Sequence, residues 1–312
     1  MNTLLLTHPD CLEHETPKGH PERVDRLRAI NQILAAPHFQ RLDRLEAPRG
    51  LRESVLLAHE ESYVSRIEEA VPSEGMEAVD PDTWLSPRSL DAALRGVGAA
   101  TRAVDAVFNG EAVNAFCATR PPGHHAESDK AMGFCFFNNA AIAALHAREN
   151  HNAQRVAVVD FDVHHGNGTQ EIFWSDRDLF YGSTHQMPLF PGTGEMSETG
   201  VGNIVNAPLR AGDGSDRFRE AMMSTILPAL DAFEPDLIVV SAGFDAHRDD
   251  PLGSLQLSEE DFIWITLRLL ELADQHCEGR LVSVLEGGYD LRALASSVGC
   301  HVQTLMRAAE IS

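Results

Sequence analysis

Lysine is nearly absent from this chain. Its 312 residues include two, Lys18 and Lys130, within 25 basic side chains set against 47 acidic ones. The resulting formal charge of −22 disfavours nucleic acid and attracts cationic molecules. The same acidity also suits solubility or a saline habitat. Cysteine is sparse too. Cys11, Cys117, Cys135, Cys277 and Cys300 form an odd set with no CxxC pair, which points to free thiols in a reducing, cytoplasmic setting. Any run of about 18 apolar residues is missing, so no membrane-spanning helix is expected. The opening stretch, Met1 to Leu6, is too short for a signal peptide and lacks its basic flank. No repeat, low-complexity tract or linker divides the chain. With 43% apolar residues there is ample material for a core, and residues 1–312 are expected to form a single domain. The oligomeric state is left open.

What is present is a repeated junction of apolar run and polar cluster. The central one is Val158-Val159-Asp160-Phe161-Asp162-Val163-His164-His165-Gly166-Asn167-Gly168. Alternate residues of a strand share a face, so Asp160, Asp162 and His164 are expected to point one way, with Asp162 and His164 gripping one metal ion. The plainer reading is a buried strand whose polar end caps a helix at Gly168-Thr169. Three other runs end comparably. Ala115 to Ala118 empties into Pro121-Pro122-Gly123-His124-His125, Leu237 to Ser241 into Asp245, and Leu281 to Leu285 into Glu286-Gly287-Gly288-Tyr289.

Between these runs lie helical patterns. Val24, Leu27, Ile30 and Leu34 recur at helical spacing after Pro21, and Arg23 and Arg26 on that segment read as solvated. Ser54 to Ala70 reads as one acidic helix, Val71 to Asp82 as loop, and Ser86-Pro87 as a helix start. Ala140 to Glu149, a Phe218/Met222/Ile226/Leu230 helix, a helix capped by Ser258 and one from Leu291 follow. Further strands are expected at Thr3 to Thr7, Leu179 to Ser183 and Asn203 to Ala207. Near-continuous apolar strands alternating with helices argue an α/β fold, a parallel sheet covered on both faces. Ligands of such sheets lie beyond the carboxyl ends of the strands, where all four polar clusters fall.

Two aspartates and a histidine suit zinc with a position open for water and substrate. Zinc lowers the pKa of bound water from about 15.7 towards roughly 7 and polarises a carbonyl. The tandem histidines can supply a base and an acid. Tyr289, on a Gly-Gly turn, can donate to the oxyanion.

The blocks PPGHHA, VVDFDVHHGNGTQ, GFDAH followed by DPLG, and LEGGYDL resemble the zinc-dependent histone deacetylase family, including its acetylpolyamine amidohydrolases. HPERVDR resembles the class II form of the family's first loop. Together the blocks run from His20 to Tyr289. The resemblance implies the arginase–deacetylase fold, a single eight-stranded parallel sheet flanked by helices on both faces. It implies one Zn2+ per chain on Asp162, His164 and Asp245, the histidine pair at His124 and His125 supported by Asp160 and Asn167, and the transition-state tyrosine at Tyr289. A monovalent cation, K+ or Na+, is implied at Asp160, Asp162, His164, Ser183 and Thr184. Gly133, Phe134 and Phe190 match an acyl-lysine tunnel, which replaces the core role that the aromatics of Gly133 to Phe137 would otherwise suggest. Gly288 stands beside the tyrosine, and Arg26 matches an arginine near the foot of the pocket.

The pattern departs from the family in two places. Asn167 stands where class I enzymes carry an aspartate, and it holds charge on His125 less well than a carboxylate. Val24 replaces a usual proline. A two-metal, arginase-like reading fails at Gly166, where the second metal needs an aspartate, although His247 follows Asp245 closely. A non-enzymatic acyl-lysine binding module, the second alternative, would be favoured by loss of Tyr289 or a ligand, and none is lost. The expected activity is therefore removal of an acetyl or other acyl group from acyl-lysine in a protein or small molecule. Acetylpolyamine is the alternative substrate. Leu252, where the polyamine-selective branch has glutamate, favours lysine, and Asp82 is a candidate rim anchor for a substrate amide.

Overall fold

The computed structural model describes residues 2–311. In chain order the elements are β1 (Thr3–Thr7), α1 (Asp25–Leu34), β2 (Asp43–Glu46), α2 (Arg52–Val55), α3 (Glu61–Ala70), β3 (Glu77–Asp80), β4 (Thr83–Leu85), α4 (Ser89–Phe108), β5 (Asn114–Cys117) and α5 (Asn139–His151). Then come β6 (Val156–Asp160), α6 (Asn167–Phe173), β7 (Leu179–Gln186), β8 (Ile204–Leu209), α7 (Ser215–Ala221), α8 (Leu227–Phe233), β9 (Leu237–Ala242), α9 (Glu259–Cys277), β10 (Leu281–Leu285) and α10 (Leu291–Ile311).

Eight strands form one sheet in the order β2-β1-β5-β10-β9-β6-β7-β8, and every pairing is parallel. Alternation along the strands feeds two cores. Val156 and Val158 of β6, with Leu237 and Val239 of β9, pack under α4 and α5. Ala157 and Val159, with Ile238 and Val240, face the other layer, where Leu27, Phe218, Phe262, Leu294 and Val302 come from α1, α7, α9 and α10. This is the arginase–deacetylase architecture expected from the sequence. The four strands that end in site residues, β5, β10, β9 and β6, are consecutive neighbours at the centre of the sheet. Their carboxyl ends therefore open at one place.

Several local expectations are corrected. β2 escaped notice because Asp43-Arg44-Leu45-Glu46 has no apolar run; it is a mostly exposed edge strand zipped to β1. The expected helix over Ser54 to Ala70 breaks between α2 and α3. There His59 is recruited elsewhere: its Nδ1 meets the Glu127 carbonyl at 2.9 Å, and its Nε2 accepts from Asn138 N–H at 2.9 Å. The expected loop at Val71 to Asp82 contains half of the antiparallel β3–β4 hairpin, with Pro81-Asp82 at its turn. The helix from Phe218 is interrupted by a π turn at Met222–Ile226. Ser258 precedes α9 as expected, its N–H donating to Asp261 Oδ2 at 3.1 Å. All five cysteines are free. Among the described residues no helix is long and apolar enough to cross a membrane.

Candidate active site

β6 ends at Asp160, and the chain then bends, so strand alternation does not reach Asp162 and His164 as expected. Hydrogen bonds build the bend. Asp162 N–H donates to Asp160 Oδ1 at 3.1 Å, and His164 N–H to Asp162 Oδ1 at 2.9 Å. Asp160 instead serves as support: its Oδ2 lies 2.9 Å from His124 Nδ1 and accepts from the Tyr181 hydroxyl at 3.0 Å.

Asp162, His164 and Asp245 come together, with donor atoms all within 4.8 Å of one another. His164 Nδ1 is 3.0 Å from Asp162 Oδ1 and 3.2 Å from Asp245 Oδ2. The remaining oxygens are held by backbone: Gly287 N–H donates to Asp162 Oδ2 and Val163 N–H to Asp245 Oδ1, both at 2.8 Å. Glycine is required at 287, because a Cβ there would lie 2.0 Å from Asp245 Oδ2 and 2.5 Å from Asp162 Oδ2. Burial pushes the Asp245 carboxyl up to about 7, and the charge of Asp162 pushes the same way. Burial alone would make His164 less basic, yet its bonds to the two aspartates raise it to about 10. Two buried carboxylates and one imidazole, each oriented by a further partner, fit a zinc-like dication that would displace that proton.

The tandem histidines differ in charge. Burial opposes a charge on His124, but Asp160, Asp162 and Glu286 outweigh it and raise the group to about 10. His125 is lowered well below 6.5, first by burial and then by His124 and His164. Its Nδ1 faces Asn167 Oδ1 at 2.9 Å. The orientation of Asn167 follows from Glu127, whose Oε1 accepts from Asn167 Nδ2 at 2.7 Å. The amide oxygen therefore faces the imidazole, Nδ1 of a neutral His125 carries the proton, and Nε2 keeps a free lone pair.

One cavity of about 250 Å³ joins these groups. Asp82, His125, Gly133, Phe134, His164, Leu189, Phe190, Leu252 and Tyr289 line it. The His125 and Phe190 rings meet edge-on at 5.1 Å, and Phe134 and Tyr289 at 5.9 Å. Phe134 adopts φ 71°, an unusual conformation for a non-glycine residue, next to Gly133 at φ 58°. A Cβ on Gly133 would strike His125 Cδ2 at 2.4 Å. Asp82 Oδ1 accepts from Gly133 N–H at 3.2 Å, tying the hairpin turn to this wall. Gly288 does not line the cavity; its carbonyl accepts from Arg26 Nε at 2.6 Å. Ser183 and Thr184 are buried on β7, where Ser183 pairs in register with Asp160. His247 meets Glu259 at 3.4 Å and is not in the metal cluster. A larger surface groove, about 590 Å³, runs beside β8 past Met196, Arg210 and Arg217 and contains no metal-ligating cluster.

Several supporting residues carried no periodic signal. Arg26 is fully buried, as its match to an arginine near the foot of the pocket implied and against the solvated reading of its segment, whereas Arg23 is half-exposed. Arg26 donates to the Glu286 and Gly288 carbonyls and to Glu22, and its guanidinium lies 4.9 Å from the Tyr289 ring centre. Glu22 also receives Arg120, at 2.8 and 2.5 Å. Glu286 accepts from Gly123 N–H at 2.7 Å, His124 N–H at 3.1 Å and Ser241 at 3.1 Å, so it holds the histidine loop against β9 and β10. Asp250 accepts from Tyr289 N–H at 2.6 Å and Leu252 N–H at 2.9 Å, fixing two cavity residues at once. Leu189 lines the cavity but had no motif to mark it.

Known proteins resemble this chain in sequence and in fold. A family model described as a histone deacetylase domain matches residues 20–305. The histone deacetylase-like amidohydrolase of Pseudomonas aeruginosa is 42% identical over 87% of this chain and 73% of its own length. The type-2 histone deacetylase 2 of Dictyostelium discoideum is 36% identical over 97% of this chain, which spans only 21% of that longer protein. Among solved structures, the crystal structure of the HDA15 HD domain superposes with a TM-score of 0.93 at 34% identity, covering 98% of this chain and 88% of that one.

Proposed function

This chain belongs to the histone deacetylase family, and we propose that it is a zinc-dependent deacetylase, a single catalytic domain hydrolysing the acetyl amide of an acetylated lysine or a similar amine. The observation that carries this reading is the meeting of His125, His164 and Tyr289 on one cavity walled by Phe134 and Phe190. Asp162, His164 and Asp245 would hold zinc, which when bound would supply Lewis-acid polarisation and lower the pKa of water.

The protein's own groups do the rest. The apolar walls suit the methylenes of a lysine side chain and exclude bulk water. Burial raises the Tyr289 hydroxyl well above 10, so it stays protonated and donates to the oxygen of the acyl group as negative charge develops there. Neutral His125 accepts a proton from the attacking water at Nε2 and delivers it to the departing amine nitrogen. The C–N bond breaks and the amine leaves neutral; the acid product, which carries water's oxygen and second proton, releases that proton as the amine takes one up, giving carboxylate and ammonium. His124, charged against Asp160, contributes electrostatic support. A potassium or sodium ion beside Asp160, Asp162, His164, Ser183 and Thr184 belongs to the same proposal, as does a cytoplasmic location.

Metal analysis and paired assays test it. After loosely held metal is removed, one equivalent of zinc is expected, lost together with activity in Asp162→Ala, His164→Ala or Asp245→Ala. Acetyl-lysine peptide is expected to be turned over with higher kcat/KM than acetylspermidine. Two tightly held manganese ions with urea release from a guanidino substrate would overturn the chemistry. A preference for acetylspermidine would move the substrate to the polyamine class.

A further inference from the structure

A second group of metal-ligating side chains lies far from the cavity. Asp105 sits in the last turn of α4, and His146 and His151 near the end of α5. Both helices lead directly into strand starts, β5 and β6, so the cluster is at the amino edge of the sheet, opposite the candidate active site. Side chains five positions apart on a helix normally diverge by about 140°. Here both rings converge on one carboxylate oxygen: Asp105 Oδ1 is 2.8 Å from His146 Nε2 and 2.7 Å from His151 Nε2. The three donor atoms lie within 4.8 Å of one another.

Each ring is held in place. His151 stacks on Phe108 at 4.8 Å with planes 12° apart, and Phe108 also lies under Arg280. His146 Nδ1 is 3.1 Å from the Asn150 side-chain amide. The same amide nitrogen also donates to the His146 carbonyl at 3.3 Å, and a metal on Nε2 would require the amide to turn so that its oxygen accepts from a protonated Nδ1. The histidine side chains are 13% and 15% exposed and Asp105 36%, so water has access to the remaining coordination positions. Two imidazoles and one carboxylate match zinc and its neighbours in softness and ligand number, and calcium or magnesium poorly.

We propose that Asp105, His146 and His151 form a second divalent metal site of the zinc class, which clamps the ends of α4 and α5 together. With three ligands and an open side, it fills only when zinc is supplied, unlike the buried site. Its occupancy tightens the helix pair without touching turnover.

The test is equilibrium dialysis of the metal-loaded protein against micromolar Zn2+, followed by metal analysis. Wild type should hold one equivalent more than His146→Ala/His151→Ala, and zinc should raise the melting temperature of wild type alone. The variant should keep deacetylase turnover within twofold. The difference between the two proteins decides the matter, so it stands apart from whatever metal the other site holds. Equal zinc content in both would overturn the proposal. A measurement on wild type alone guards against a variant that fails to fold. Zinc should protect His146 and His151 from carbethoxylation, read by mass spectrometry, and unchanged labelling of both would also overturn it.

Discussion

Replacing Asn167 by aspartate should move the pH dependence of this enzyme in a calculable direction. Asn167 Oδ1 lies 2.9 Å from His125 Nδ1. A carboxylate there places a full negative charge beside the imidazole. At an effective dielectric of about 20 and a charge separation of about 4 Å, the attraction for a protonated ring is about 4 kcal/mol, or about 3 pKa units. Glu127 reduces this, because its Oε1, now 2.7 Å from Asn167 Nδ2, would face a second carboxylate. One of the two acids then takes up part of the effect by holding a proton, so a rise of about 1–2 units in His125 is expected.

In the proposed mechanism His125 works only when neutral, and the acid limb of kcat/KM reports its loss of neutrality in the free enzyme. In wild type that limb is expected to lie low, since burial and the neighbouring histidines push His125 well below 6.5. In Asn167→Asp the limb should shift to higher pH by the same 1–2 units, an expected change of about tenfold in rate per unit below it. Adding Glu127→Gln should remove the competing charge and move the limb further up. An acid limb that stays in place in both variants would show that another group is the base.

Tyr289→Phe should retain zinc and lower kcat by about 10²–10³, the usual loss for one oxyanion donor, and near-normal turnover would mean another group does that work. Leu252→Glu should shift the kcat/KM ratio from acetyl-lysine peptide towards acetylspermidine, because it sets a charge on a cavity wall that is now apolar; an unchanged ratio would place the distal amine elsewhere. Glu22→Gln leaves two buried guanidiniums without their acid and should cost about 3–5 kcal/mol in urea unfolding, a loss under about 1 kcal/mol counting against the network. Burial opposes ionisation of Glu22, but Arg120 and Arg26 hold its folded pKa below the ordinary 4.5. Its contribution is therefore present above that value and lost as pH falls below it, so the acid destabilisation should be shallower in Glu22→Gln.

The strands and the residues that gather at the cavity were readable because each central strand is a short apolar run and each polar cluster begins where the run stops. That rule holds for β5, β6, β9 and β10, whose buried residues alternate between two cores. It says nothing about β2, whose polar residues form a strand only because β1 offers an edge. It also fails for residues that act through position alone. Glu22, Glu286 and Asp250 each lay inside a quoted block, yet single acids are usually solvated. Only the folded chain shows Glu22 between Arg26 and Arg120, Glu286 beneath the histidine loop and Asp250 joining Leu252 to Tyr289. Glu127 belongs with them: its grip on Asn167 selects the tautomer of His125.

The charges around the cavity explain why a dication suits the Asp162–His164–Asp245 triangle better than a proton. Glu22 is neutralised by two arginines and Asp160 by His124. Burial raises Glu286 to about 7 and lifts Asp250 as well, so both tolerate their sites by binding a proton more readily. Among the described residues neither Asp162 nor Asp245 has an arginine ion pair; His164 stands between them, and His124 lies 3.9 Å from Asp162. A proton on His164 balances one of their two charges. A zinc ion held there would balance both and leave His164 neutral, the form in which histidine serves as a ligand. A dication there would take the place of that proton as a cationic neighbour of His125 and would keep the base in its neutral form.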